Sequence, residues 1–123
     1  MSDSDKPQDN GFVDRLKWRI IWSYEGIRDT WRLERSFRQW VWANAASAGL
    51  GFILLSGAEL ALILVLGIFV LVVELLNTGI ERTVDLVSLE KSDLAKLAKD
   101  AASGAVMLSA FAVGVAWVVC LIG

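Results

Sequence analysis

Three stretches of this chain are apolar over lengths that suit a bilayer, and nearly all of the charge lies between them. Residues 60–80 and 101–122 hold no ionised side chain apart from Glu74, and about 20 apolar residues in a helix span roughly 30 Å of hydrocarbon. A third stretch, 40–58, is diluted by Ala, Gly, Ser and Asn44 but is also uncharged. The pattern predicts three transmembrane helices. Upstream, Val13, Leu16, Ile20, Tyr24, Ile27 and Trp31 recur at steps of three and four, which confines them to roughly 80° of a helical surface. That predicts an amphipathic helix over 11–35 lying along the membrane surface. Residues 1–10, with Asp3, Asp5, Asp9 and the only proline, read as a disordered leader.

At 123 residues, 55% of them hydrophobic, the chain has room for one domain, expected to be an all-α membrane protein over 1–123. The net charge of −2 matters less than its distribution, because every Lys and Arg falls within 6–38 or 82–99. By the positive-inside rule both basic segments face the cytoplasm, so the N-terminus is inside and the C-terminus outside. Trp40 and Trp42 at the inner end of the first span, and Trp117 toward the outer end of the last, suit interfacial anchors. Cys120, alone in an apolar helix, reads as a small buried hydrophobe. Nothing suggests a nucleic-acid partner.

The segment 73–85 breaks the apolar pattern. At about 100° per residue, Glu74, Asn77, Glu81 and Asp85 fall within roughly 60° of one another and form one polar stripe. A carboxylate in hydrocarbon costs several kcal/mol even on lenient scales, so Glu74 needs a reason to be there. Interhelical hydrogen bonding is one; chemistry is another. On the surface helix, Arg15, Arg19, Arg28 and Arg32 lie off the apolar stripe, where anionic headgroups or a phosphorylated ligand would meet them. Trp22 lies opposite the stripe beside Arg15 and Arg19, which suits either a stacking platform for a base or a contact with another helix. Gly26 and Leu33-Glu34-Arg35-Ser36 predict a break before the first span begins near Phe37. Residues 86–100, with Glu90, Lys91, Asp93, Lys96 and Lys99, read as a cytoplasmic loop.

The chain has no His, and no Walker motif, dinucleotide fingerprint, protein-kinase signature or catalytic-triad pattern occurs in it. An enzyme built on these residues works with carboxylates, Lys, Arg and a metal, using the stripe, the Glu34 turn or the Lys99-Asp100 pair. Paired carboxylates beside basic residues suit Mg²⁺ bridging nucleotide phosphates, since Mg²⁺ takes oxygen ligands and few of them from protein. Glu74 lies roughly 10 Å deeper along the helix than Glu81 at 1.5 Å per residue, within reach of a lipid hydroxyl. A proton-coupled carrier or a channel would place Glu and Asn on one face as well.

The run Glu74-Leu75-Leu76-Asn77-Thr78-Gly79-Ile80-Glu81, followed by Val84-Asp85 and Ala98-Lys99-Asp100, closely resembles the signature of the prokaryotic integral-membrane diacylglycerol kinases. Gly26, Arg28, Glu34, Phe37 and Arg38 fall where that family has its amphipathic helix and the turn into the first span, so the resemblance covers about residues 11–123. It implies a homotrimer of three-helix subunits in the bacterial cytoplasmic (inner) membrane, with active sites shared between neighbours, that transfers the γ-phosphate of MgATP to a lipid alcohol. It further implies that Glu74 is the base facing the lipid hydroxyl and that Glu34 and Glu81 hold the metal. Arg15, Trp22, Asn77, Glu90, Lys99 and Asp100 would serve the nucleotide, with Glu34 and Glu81. Arg28, Trp31, Phe37, Arg38, Gln39 and Ser103 would border the lipid headgroup.

Two departures bear on the acceptor. Trp40 stands where diacylglycerol-specific members carry an acid, and Glu90-Lys91-Ser92 replaces the usual Glu-Tyr-His. The turn Leu33-Glu34-Arg35-Ser36-Phe37 partly resembles that of the undecaprenol kinases of the same family. Diacylglycerol is the expected acceptor and undecaprenol the alternative. Outside this family, the readings are a non-enzymatic assembly protein, in which the stripe is interhelical glue, and a small ion or proton carrier.

Overall fold

The computed structural model describes residues 11–123, and the leader at 1–10 lies outside the described residues. Four α-helices follow in order: α1 (Phe12–Leu33), α2 (Arg35–Leu54), α3 (Gly57–Val87) and α4 (Asp93–Ile122). The chain divides into two units, α1 in one and residues 34–123 in the other. In α1 the apolar stripe is open: Val13, Ile20 and Tyr24 are strongly exposed, and Leu16, Ile27 and Trp31 partly so. Thr30 turns its hydroxyl onto the Gly26 carbonyl at 2.7 Å.

The second unit is a helical hairpin extended by a third helix. Glu34, with extended backbone (φ −113°, ψ 110°), is the N-cap of α2. The turn into α3 uses Gly57 at φ +58°, a left-handed conformation that a Cβ disfavours. α2 and α3 run antiparallel at close range. A Cβ on Gly51 would meet Leu60 at 3.1 Å, and one on Gly67 would meet Asn44 Oδ1 at 2.9 Å. Asn44 is held in turn, donating from Nδ2 to the Trp40 carbonyl at 2.8 Å. Small residues permit the close approach at Gly51 and Gly67, and Ala102 on α4 is buried. Gly49 and Gly104 face open space within the chain.

The buried residues of α3 are Ile63, Gly67, Val70, Glu74, Asn77 and Thr78. Their steps of three and four make one stripe that changes from apolar to polar without leaving the packed face. α4 packs against α3. Trp117 donates from Nε1 to Ser47 Oγ at 2.8 Å, linking α4 to α2.

α3 and α4 have 31 and 30 residues and are long and apolar enough to cross a membrane. At 1.5 Å per residue each is about 45 Å long, so each outreaches a hydrocarbon layer of roughly 30 Å. The reading of residues 86–100 as a loop is corrected: only 88–92 separate α3 from α4. The Ser92 side chain accepts from the Ala95 N–H at 3.1 Å, an N-cap that starts α4 two turns before its apolar run.

Candidate functional site

The polar stripe of α3 passes from buried to open. Glu74 is 3% exposed and Asn77 9%, whereas Glu81 is half-buried and Asp85 exposed. Glu74 Oε1 accepts a hydrogen bond of 2.8 Å from Ser36 Oγ in the first turn of α2. Among the described residues it has no other hydrogen-bond partner. Glu34 and Glu81 both lie near enough for their charges to act on Glu74, so the break before α2 and the outer part of the stripe are brought to one place.

Each of those carboxylates has a local partner. Arg82 Nη2 donates to Glu34 Oε1 at 3.2 Å. Asn77 Nδ2 donates to Glu81 Oε1 at 3.2 Å. Asn77 Oδ1 is buried and has no hydrogen-bond partner among the described residues, and such groups ask for an explanation. An unpartnered amide oxygen on the side chain that bonds Glu81 is a donor of the hard, oxygen kind that suits Mg²⁺. Among the described residues, no three His, Cys, Asp or Glu side chains come close enough together to hold a metal ion by themselves. A metal here would take the rest of its ligands from phosphate oxygens and water, as Mg²⁺ commonly does.

A second feature lies where α3 meets α4. A cavity of about 370 Å³ is lined by Asp85, Glu90, Lys91, Lys96, Lys99 and Asp100, among others. Both residues of the Lys99-Asp100 cluster line this cavity, but they do not pair with each other: Lys99 Nζ bonds Asp85 Oδ1 at 2.7 Å, and Asp100 pairs with Lys96 one turn earlier. Helical geometry is the reason, since neighbours in sequence point about 100° apart whereas i and i+4 share a face. Three expected nucleotide residues, Glu90, Lys99 and Asp100, thus line one cavity. Ser103 is exposed just beyond them on α4.

The expected lipid residues differ in setting. Phe37 is buried at 4% and belongs to the core, Arg38 is half-buried, and Gln39 is exposed. In the other unit, Arg28 pairs with Asp29 at 3.3 Å and lies over the Tyr24 ring at 6.0 Å. Trp22 has an aromatic neighbour, Trp18, with ring centroids 6.2 Å apart at 34°. Arg15 and Trp31 are exposed on the same helix.

Sequence reasoning missed Ser36, Arg82 and the role of Asp85 as the partner of Lys99. For Asp85 a signal existed, since it closes the stripe. For the other two the partner is fixed only by how α2 lies on α3.

The fold and site define a class: a helical membrane protein with a buried acid on one long apolar helix and a charged cavity at the junction with another. The sequence profile of prokaryotic diacylglycerol kinase matches residues 21–121. A diacylglycerol kinase of Pseudomonas aeruginosa is 40% identical over 83% of this chain and 84% of its own length. An undecaprenol kinase of Bacillus subtilis is 44% identical over 90% and 86%. A diacylglycerol kinase of Escherichia coli K12 is 31% identical over 81% and 83%. The chain belongs to the prokaryotic diacylglycerol kinase family and is a lipid kinase.

Proposed function

We propose that this protein transfers the γ-phosphate of MgATP to the hydroxyl of diacylglycerol, giving phosphatidic acid, with Glu74 as the general base. The observation that carries the reading is a carboxylate buried on a membrane-length helix within electrostatic reach of Glu34 and Glu81. Glu74 accepts the proton of the lipid hydroxyl. The freed oxygen attacks the γ-phosphorus, the bond to the β–γ bridging oxygen breaks, and ADP leaves. Glu34 and Glu81, with the unpartnered Asn77 Oδ1, would hold Mg²⁺, whose charge would offset that of the triphosphate. Lys99, with Asp100 and Glu90 around the cavity at the α3–α4 junction, positions the nucleotide. Arg15 and Trp22 are assigned to the nucleotide, and Arg28, Trp31, Arg38, Gln39 and Ser103 to the lipid, while Phe37 is buried in the core. Most of the acceleration then comes from placement and electrostatics, as phosphoryl transfer requires.

The working protein is a homotrimer in the bacterial cytoplasmic membrane, with α2 as a third span and the C-terminus outside. The open apolar faces of α3 and α4, including Leu62, Ile68, Phe69, Leu108 and Phe111, support burial in lipid or against other subunits. The absence of Lys and Arg near 56–59 and at the C-terminus supports the orientation.

A second acceptor, undecaprenol, is favoured by one observation: the relative named undecaprenol kinase is 44% identical over 90% of this chain, against 40% over 83% for the Pseudomonas diacylglycerol kinase. The test is phosphate transfer from labelled ATP with Mg²⁺ to each lipid in parallel mixed micelles. Labelled phosphatidic acid in excess supports the first reading, and labelled undecaprenyl phosphate in excess replaces it by the second.

A further inference from the structure

We infer that Ser36 is a positioning residue for Glu74, fixing the orientation of its carboxylate for proton acceptance; the inference rests on the reading of Glu74 as the base. Ser36 occupies the first turn of α2, where a serine hydroxyl commonly bonds its own backbone. Here it does not. Its Oγ reaches across to Glu74 Oε1 at 2.8 Å, between residues 38 positions apart.

Glu74 is almost fully enclosed, and no other donor reaches it among the described residues. A carboxylate has two equivalent oxygens, and rotation about its last torsion is broad and soft. One donor on Oε1 removes that freedom and leaves Oε2 to meet an acceptor hydroxyl. The first turn of α2 also carries unpaired backbone N–H groups and the positive end of the helix dipole, which favour an anion beside them. Among the described residues, Ser36 is thus the only side chain seen to hydrogen-bond the Glu74 carboxylate.

The test compares kcat and KM for the full-length protein in mixed micelles, for wild type and for Ser36→Ala, Ser36→Thr and Glu74→Gln. Alanine is compatible with the first turn of a helix, and oligomer integrity is checked by size exclusion. A hydrogen bond to a charged group corresponds to about tenfold to a hundredfold in rate. Ser36→Ala is expected to lose that much in kcat with KM for ATP within about twofold, and Ser36→Thr, which restores the hydroxyl, to recover most of it. Wild-type kcat in Ser36→Ala would overturn the inference, as would equal losses in the Ala and Thr variants from intact oligomers. If Ser36→Ala is unaffected while Glu74→Gln is inactive, the Ser36 inference falls alone. Turnover in Glu74→Gln removes the base and this inference with it.

Discussion

Replacing Glu74 by Gln separates chemistry from packing. The amide has nearly the same volume, so the enclosed position, 3% exposed, keeps its shape. Its carbonyl oxygen still accepts from Ser36 Oγ, which lies 2.8 Å from Oε1. What disappears is the basic oxygen. A positioned general base contributes about 10²–10⁴-fold to a rate, or about 3–5 kcal/mol at about 1.4 kcal/mol per decade. If Glu74 only bound helices together, the change would exchange one hydrogen bond for another, with a net effect within about 1.5 kcal/mol. That corresponds to about tenfold at most, and it would be read in stability and not in turnover. The two expectations differ by at least a further factor of ten. The assay is transfer from labelled ATP to the lipid under saturating MgATP, with nucleotide binding and oligomer size measured on the same preparation. Turnover below about 1% of wild type with binding retained is expected. Turnover above a tenth of wild type from an intact oligomer would refute the base assignment.

Other consequences can be checked separately. Glu34→Ala and Glu81→Ala should each raise the Mg²⁺ concentration needed for half-maximal activity by about tenfold or more, and weaken Mn²⁺ binding measured by electron paramagnetic resonance with ATP present; unchanged metal dependence in both would remove them as ligands. Gly67→Ala should destabilise the protein by about 1–3 kcal/mol through overpacking, because its Cβ would sit 2.9 Å from Asn44 Oδ1. Gly104→Ala meets open space within the chain and serves as the control; equal stability of the two variants in thermal unfolding would contradict the packing. A C-terminal alkaline phosphatase fusion should be active and a green fluorescent protein fusion at the same point dark, and the reverse result would invert the proposed orientation.

The apolar spans, the surface stripe and the polar stripe could be read from sequence because each depends on one periodicity within one helix. The break at Glu34 was legible for the same local reason. The starts and ends of helices were harder: Ser92 caps α4 among charged residues that hydropathy alone assigns to a loop. Side-chain partners were hardest. Lys99 beside Asp100 suggests a pair, yet the helix turns the two apart and gives Lys99 to Asp85. Phe37 shows the same limit, since its burial depends on α2 lying against another helix and not on its neighbours in sequence.

The register of α2 on α3 is what connects the packing to the chemistry. From the short turn at 55–56, contact is made by Gly51 with Leu60, then by Asn44 with Gly67, then by Ser36 with Glu74. Each lies about two helical turns from the one before on both helices, at roughly seven residues per step. The first two contacts are close because one partner is glycine, and they leave little freedom for the helices to slide. The third uses that fixed register to bring a hydroxyl to a carboxylate that would otherwise be enclosed without a partner. A shift of α2 by one residue would rotate Ser36 about 100° away from α3 and leave Glu74 buried and unpaired, a cost of several kcal/mol in an apolar setting. The carboxylate therefore penalises misregistered packing while the glycines position its partner, so the residues that set the hairpin and those that do the chemistry act as one unit along α3.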